Sequence, residues 1–340
     1  MASSVLDFTL ARPDSLEVLT TTAPAVQQAT HVRLDGDAVL RFAAASEKTP
    51  PPVASEDALH CTFLPPKHLL NYLLVLEALN FCFWDEEPRW RVAARDRDHD
   101  GYWALTAALY RAIRENAIPV WDAQWMAEVD ERQMAALLRG TGRPIPLLAA
   151  RVANVREAGE VLLARWRGEF ANVVHAAGGD ASVLVKIITR EFKSFHDVSQ
   201  WSAPDGTRHA VRFLKRAQIC VADLARLLPD HPLGQVTALT HLTAFADYKV
   251  PQVLRKLGML VYAQPLAERV DAQQELVAGS PEEVEIRAAT IWACEWIARA
   301  LALRQPSARI TASDVDYRLW LMGQDKAGLK PYHRTRTIYY

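Results

Sequence analysis

The stretch that most limits how this chain can fold lies near its C-terminal end. Ser280-Pro281-Glu282-Glu283 is a capping box with proline at the first helical position, a strong helix start. The run that follows, "VEIRAATIWACEWIARALALR", is apolar almost all round after Ile286. An ordinary surface helix needs one covered face, whereas a helix that is apolar all round must be covered on every side. The rest of the chain therefore has to wrap this segment as a central buried helix. A weaker box, Thr311 to Asp314, opens "DVDYRLWLMG".

A second run, "HLLNYLLVLEALNFCFW" from His68 to Trp84, is 17 residues long and nearly uncharged. A membrane-spanning helix needs about 20 predominantly apolar residues. This run is shorter and contains Asn71, Glu77 and Asn80, so it reads as a buried soluble helix over 65–84, with Pro65 and Pro66 in its first turn. On such a helix Asn80 and Trp84 stand four apart and share a face. Phe81 and Phe83 then go to the core, and Cys82 is a small buried thiol.

Further helices are expected over 101–116, 123–138, 146–168, 181–191, 210–228 and 235–245. A short one is started by Pro251 and stopped by Gly258. "THVRL" reads as a short strand, with Asp35 capping the next helix. "KTPPPVAS" reads as a rigid connector, "DEEPRWRVAARDRDHDG" as a charged surface loop, and "EFKSFHDVSQWSAPDGTRHAV" as a polar connection. Glycine is scarce at 14 and strand-like alternation is rare. The fold class is therefore mainly α, a multi-helix globular fold with at most a few short strands. Residues 1–60 read as an irregular N-terminal segment packed on the body, and 61–340 as a helical body with no clean internal boundary.

The 340 residues suffice for a large buried core, and half of them are hydrophobic against 23% charged. The formal net charge is −1. A protein that grips a long polynucleotide through many phosphates carries a basic surplus, so a small or singly charged ligand fits better. Cys61, Cys82, Cys220 and Cys294 are widely spread, with no C-x-x-C and no zinc spacing. They read as reduced, buried thiols of a cytosolic protein. The stretch "MASSVLDFTLARPD" lacks the basic and apolar regions of a signal peptide. G-x-G-x-x-G, a Walker A loop, H-E-x-x-H and G-x-S-x-G are all missing, so hydride transfer, nucleotide triphosphate hydrolysis and zinc or serine hydrolysis lose support.

What remains is a set of carboxylates beside aromatics, in breaks between helices. A cap for the Pro251 helix belongs at Val250, which leaves Asp247 without a capping duty; the plain alternative is an ion pair with Lys249 or Arg255. Asp197, two residues after Phe195, is either a site residue or a turn or cap aspartate. Asp314 has a structural duty at the third position of its helix. Asp316 has none, and shares a helix face with Trp320. Glu295, in the apolar helix, reads as half of a buried ion pair with Arg299. Arg212, Lys215 and Arg216 share one helix face, solvated or holding a phosphate. His60, His68, His333, Arg334 and Arg336 each read first as structural or surface groups.

Seven blocks, in order along the chain, resemble one family. They are "LNFCFW" at 79–84, "SFHD" at 194–197, "FLKRAQICVADL" at 213–224, "LTAFADYKVPQVLRKLG" at 242–258, "EVEIRAATIW" at 283–292, "DYRLW" at 316–320 and the terminal "HRTRTIYY". Together they are similar to the queuosine salvage proteins, which are queuosine 5′-phosphate N-glycosylases. The resemblance implies a helical fold related to helix-hairpin-helix DNA glycosylases. It implies a cytoplasmic hydrolase of the N-glycosidic bond of queuosine 5′-phosphate, releasing queuine for tRNA modification. It also implies no cofactor, no metal, no membrane and no stable nucleic-acid partner.

Carried over by position, the family's aromatic and catalytic carboxylate fall on Phe245 and Asp247, and its base contacts on Asp316 and Tyr317. The family's acid after the block's Trp is Leu321 here, and Asp314 is the substitute. Asp197, Phe195 and Lys215 are placed near the site. Carboxylates, which only accept hydrogen bonds, suit the N–H edge of a 7-deazaguanine and its cationic arm. Phe245, Tyr248 and Trp84 suit stacking on the base, and Asn80 its pocket wall. Lys215 is the first choice for the 5′-phosphate and Arg334 the second. His60 lies where the match fades. Asp247 would act as nucleophile or as stabiliser of an oxocarbenium-like centre. A glycosylase acting on nucleic acid and a non-catalytic binder of a modified purine remain as alternatives.

Overall fold

The structure, a computed structural model, describes residues 6–46 and 59–340. The proline-rich connector lies outside the described residues. Among these residues there are fourteen α-helices and six short strands, the strands all in two-stranded antiparallel pairs. The fold is mainly α, and no described helix is long and apolar enough to cross a membrane. The chain divides into two compact units. One comprises Met1–Ala54, Asp197–Gln218 and Ala238–Arg336, the other Ser55–His196, Ile219–Thr237 and Thr337–Tyr340.

The first unit is built round the helix read first from the sequence, α13 (Pro281–Arg304). Packed on it are α1 (Val18–Gln27), β1 (Val32–Leu34), α2 (Gly36–Ser46), β4 (Val198–Ser202), α11 (Lys249–Lys256), β6 (Leu260–Tyr262) and α14 (Ala312–Met322). Ile286, Ile291, Trp292 and Ile297 are wholly buried. The polar groups of this helix are matched one by one, as burial demands. Trp292 Nε1 donates to Thr22 Oγ1. Glu285 accepts the backbone N–H groups of Thr30, His31 and Val32. Glu295 pairs with Arg299 at 3.2 Å, as expected, and also with Arg12 at 3.0 Å.

Three local expectations in this unit hold. "THVRL" contains β1, which pairs with β6; Asp35 Oδ1 accepts the Ala38 N–H at the start of α2; and Gly258 ends α11 at φ +75°. A left-handed C′ position favours glycine because it has no Cβ to clash. Others fail. The irregular N-terminal reading misses α1, whose threonines and Pro24 disfavour helix but whose Val18, Leu19 and Ala25 gain burial. The polar connection and the start of the expected 210–228 helix form a hairpin of β4 with β5 (Arg208–Arg212). It turns only Trp201 and Val211 fully inward, so little hydrophobic alternation shows. Helix α10 begins only at Lys215 and runs to Leu227. The expected helix 235–245 is absent: a 3-10 turn at Leu239–His241 leads into irregular chain. A helix α12 (Gln264–Asp271) completes this unit.

In the second unit α3 (Pro66–Leu79) is buried without interruption from Leu69 to Leu79. It packs against α4 (Gly101–Arg114), α7 (Leu148–Trp166) and α8 (Phe170–Ala176). The charged loop is instead a hairpin, β2 (Arg91–Ala94) with β3 (Arg97–Asp100). Its two turn residues, Arg95 and Asp96, both have positive φ, the backbone that suits a tight hairpin. The expected helix 123–138 is broken into α5 (Ala123–Glu128) and α6 (Glu131–Leu137) by Asp130, which caps α6 in a full capping box with Gln133. Gly159 of α7 lets α5 approach closely: a Cβ there would meet Ala127 N at 2.4 Å. Helix α9 (Ala181–Glu191) completes this unit.

Helix α3 stops five residues short of the expected end. Its last carbonyls find side-chain donors on α7: Asn154 Nδ2 reaches Ala78 O, and Arg151 reaches Leu79 O. Arg151 also donates to Phe81 O at 2.7 Å, Cys82 O at 3.0 Å and Pro146 O at 2.9 Å, and lies over the Phe81 ring at 4.3 Å. Helix C-termini leave carbonyls unpaired and favour cations. One buried guanidinium therefore makes the exit from the helix more stable than its continuation. Cys82 takes φ +40°, and Asn80 to Trp84 leave the helix. Asn80 and Trp84 thus do not share a helix face.

Candidate active site

The segment from Leu242 to Tyr248 in the first unit is irregular yet buried, so its backbone groups need partners. Side chains from three directions supply them. Gln218 Oε1 accepts the Thr243 N–H at 2.8 Å, Asp316 Oδ1 accepts the Phe245 N–H at 3.0 Å, and Arg287 Nε donates to Ala246 O at 3.1 Å. This cradle delivers Asp247 to the start of α11.

The expectation that Asp247 has no capping duty is corrected here. Its Oδ1 accepts the N–H groups of Lys249 at 2.7 Å and Val250 at 2.9 Å. The helix begins at Lys249, two residues earlier than Pro251 implied, which puts Asp247 within reach. The anchoring leaves Oδ2 with no hydrogen bond among the described residues, and the residue is partly exposed. Burial pushes the Asp247 carboxyl up, opposed by the Lys215 charge and the two N–H groups.

Asp316, on α14, is 4% exposed. Burial first, and then the neighbouring charge of Asp247, push its carboxyl from 3.8 up to about 8. It is therefore a neutral acid at pH 7, whereas the sequence argument expected an acceptor-only carboxylate. Two acids and one ammonium thus stand within electrostatic reach: burial raises both carboxyls, and the Lys215 charge draws both back down. Carboxyls perturbed in this way by burial and by each other are the kind found at acid–base sites. Cys294, behind them, has its thiol raised by burial and by Asp316, Glu295 and Asp247, so it is no nucleophile.

The basic face expected over 212–216 does not exist. Arg212 belongs to β5 and pairs with Glu17 at 3.1 Å, while Lys215 and Arg216 are 5% and 1% exposed. Asp197 is also buried, at 1%. Its carboxylate receives both ends of the Arg287 guanidinium, at 3.1 and 2.6 Å, and the Lys215 N–H at 3.2 Å. Its carbonyl accepts from Phe213 and Leu214. Arg287 lies 3.8 Å over the Phe213 ring and 3.6 Å from Glu283. Burial and the Arg287 charge hold His333 down at about 3, hence neutral.

The structure thus joins Asp197, Lys215, Phe245, Asp247 and Asp316. Tyr248 follows Asp247 and packs on Tyr332, ring centroids 4.7 Å apart. Tyr317 stacks on Trp320 at 6.3 Å. Asp314 is exposed, its Oδ2 bound by Thr311 in the capping box of α14. Arg334 bonds Gln273 beside a bridge to Glu275. The other named residues belong to the second unit. There Asn80 Nδ2 donates to Glu77, Trp84 and Phe195 are 1% exposed, and His60 stands 5.9 Å from the Tyr102 ring.

Sequence reasoning missed Arg287 and Gln218. An arginine four residues after Glu283 inside an apolar helix was the available signal for the first. Nothing in the local sequence singles out Gln218. Among the described residues no group of three His, Cys, Asp or Glu could hold a metal ion.

The irregular buried strap thus brings together an anchored carboxylate with one open oxygen, a neutral acid and a lysine among aromatics, an arrangement suited to acid–base and carboxylate chemistry. The sequence profile of the queuosine salvage protein family matches residues 60–340, and the chain belongs to that family. It is 48% identical over 331 residues to a queuosine 5′-phosphate N-glycosylase/hydrolase of Sphaerobacter thermophilus, covering 96% of this chain and 98% of that one. Proteins of the same name from Mus musculus and Bos taurus are each 35% identical over 283 residues. These matches cover 80% of this chain, and 82% and 81% of theirs.

Proposed function

We propose that this chain hydrolyses the N-glycosidic bond of queuosine 5′-phosphate and releases queuine for reuse in tRNA modification. The observation that carries the chemistry is Asp247: one oxygen held by two backbone N–H groups, the other open. Cleavage leaves positive charge on the ribose C1′. A fixed carboxylate oxygen beside that carbon stabilises the charge, or bonds to it before water does. Water's oxygen ends on C1′, the C1′–N bond electrons leave with the base, and the base takes a proton. Asp316, neutral by burial, is the group with a proton to give. Lys215 favours the ionised form of Asp247. Phe245, Tyr248 and Tyr317 supply flat apolar surface for the base.

The substrate class rests on family membership and on the names of the relatives. A net charge of −1 and four free, buried cysteines agree with a cytoplasmic enzyme that takes a small nucleotide and keeps no stable nucleic-acid partner. The fold relation to helix-hairpin-helix glycosylases is part of the same proposal. So is the division into an N-terminal entry segment, 1–60, packed on the body, and a helical glycosylase-like body, 61–340. The test is to incubate the protein with queuosine 5′-phosphate, queuosine and GMP and to look for free base by mass. Queuine from the first substrate is the expected product. Release of phosphate without base would sink the reading.

A further inference from the structure

Among the buried cations that the catalytic reading leaves unused is Arg287. Arg287 sits on the central helix, 1% exposed, and holds Ala246 O and the Asp197 carboxylate. It lies at a junction. Its Nε holds Ala246 O, the peptide that leads into Asp247. Its two terminal nitrogens hold both oxygens of Asp197. Asp197 in turn accepts the backbone N–H of Lys215 and, through its carbonyl, those of Phe213 and Leu214. Lys215 is the first residue of α10, and Leu214 just before it takes φ +53°. Among the described residues the strap bearing Asp247 and the turn bearing Lys215 share no strand or helix pairing, though Gln218 of α10 reaches the strap at Thr243. Both are fastened to one guanidinium.

We propose that Arg287 is the positioning residue of this site: it sets Asp247 and Lys215 in one rigid frame, acting through Ala246 O and Asp197. The inference rests on the reading of Asp247 given above. Geometry of this kind needs arginine. A planar fork can serve a carboxylate bidentately and a carbonyl at once, whereas an ammonium is a single point charge. Phe213, stacked 3.8 Å from the guanidinium, fixes the plane of the fork.

The test compares Arg287→Lys, Asp197→Asn and their double variant, with Glu285→Gln as a control on the same helix. Glu285 fastens residues 30–32 and takes no part in the site. Displacing a reacting group by about 1 Å costs roughly 100-fold in rate. Arg287→Lys is expected to lower kcat for base release ~10- to 100-fold with KM changed less than ~3-fold, because base and phosphate contacts stay. Asp197→Asn is expected to do the same, and the double variant to cost no more than either single one, since both remove one frame. Glu285→Gln should lower the thermal midpoint while kcat of the folded protein stays at wild type. A folded Arg287→Lys with wild-type kcat overturns the inference, as does additive loss in the double variant. Asp247→Asn run alongside separates the two ideas: normal turnover there removes Asp247 from catalysis, whatever Arg287 does.

Discussion

Replacing Asp316 by asparagine should make the protein more stable and less active, and the size of the effect follows from its burial. The carboxyl titrates at about 8 in the folded protein against an ordinary 3.8. That is a rise of about four units, and each unit is worth ~1.4 kcal/mol. A group whose folded value is raised contributes its full stability below the unfolded value. The contribution shrinks as pH rises between 3.8 and about 8, then stays constant. Keeping Asp316 therefore costs almost nothing at pH 4 and, at full strength, ~6 kcal/mol well above pH 8. Asparagine is neutral in both states, and its Oδ1 can still accept the Phe245 N–H. We expect Asp316→Asn to gain on the order of 2–4 kcal/mol at pH 8 and essentially none at pH 4. Urea unfolding at the two pH values reads this directly, alongside base release at pH 7. A variant no more stable than wild type at pH 8, or a gain equal at both pH values, would refute the reasoning. So would unchanged base release, because the asparagine has no acidic proton to give.

The activity of the wild type should fall on the alkaline side near pH 8 as Asp316 ionises, and on the acid side as Asp247 protonates above the ordinary carboxylate range; a pH–rate profile locates both limbs. Asp247→Asn should abolish base release while queuine still binds, as judged by calorimetry. Lys215→Met should lower kcat by a similar factor on queuosine 5′-phosphate and on queuosine, because its charge serves Asp247; a loss confined to the monophosphate would return Lys215 to the phosphate. Arg151→Met should cost about 3 kcal/mol in urea unfolding by stranding the carbonyls that end α3.

The frame of the molecule was legible where one local signal sufficed. The box at Ser280 and the apolar run after it announced α13, and Gly258 announced the end of α11. Failures came where distant residues decide. Nothing between His68 and Trp84 says that an arginine some seventy residues on will collect the carbonyls of Leu79, Phe81 and Cys82. Nothing in "LPDHPLGQVTALTHL" shows that this stretch forgoes a helix and feeds the strap. The named acids Asp197, Asp247 and Asp316 came together, but their protonation did not show. An aspartate reads the same in sequence whether it stands in water or is held neutral in a dry wall. Asp247 also proved to be capping and open at once, a division between two oxygens that spacing arguments cannot see.

Asp316 ties these strands together, since it both props the strap and serves the site. Its two duties can be separated by comparing asparagine with alanine. Asparagine keeps the acceptor for the Phe245 N–H and loses only the ionisation. Alanine loses the acceptor as well, leaving a buried donor unpaired at a cost of about 1–3 kcal/mol. That cost has no proton in it, so the stability gap between the two variants should be the same at pH 4 and pH 8. The gap between wild type and either variant should shift with pH, because only wild type carries the buried titrating group. An asparagine–alanine gap that itself varied with pH would mean that some other group titrates with the strap, and the value near 8 would no longer belong to Asp316.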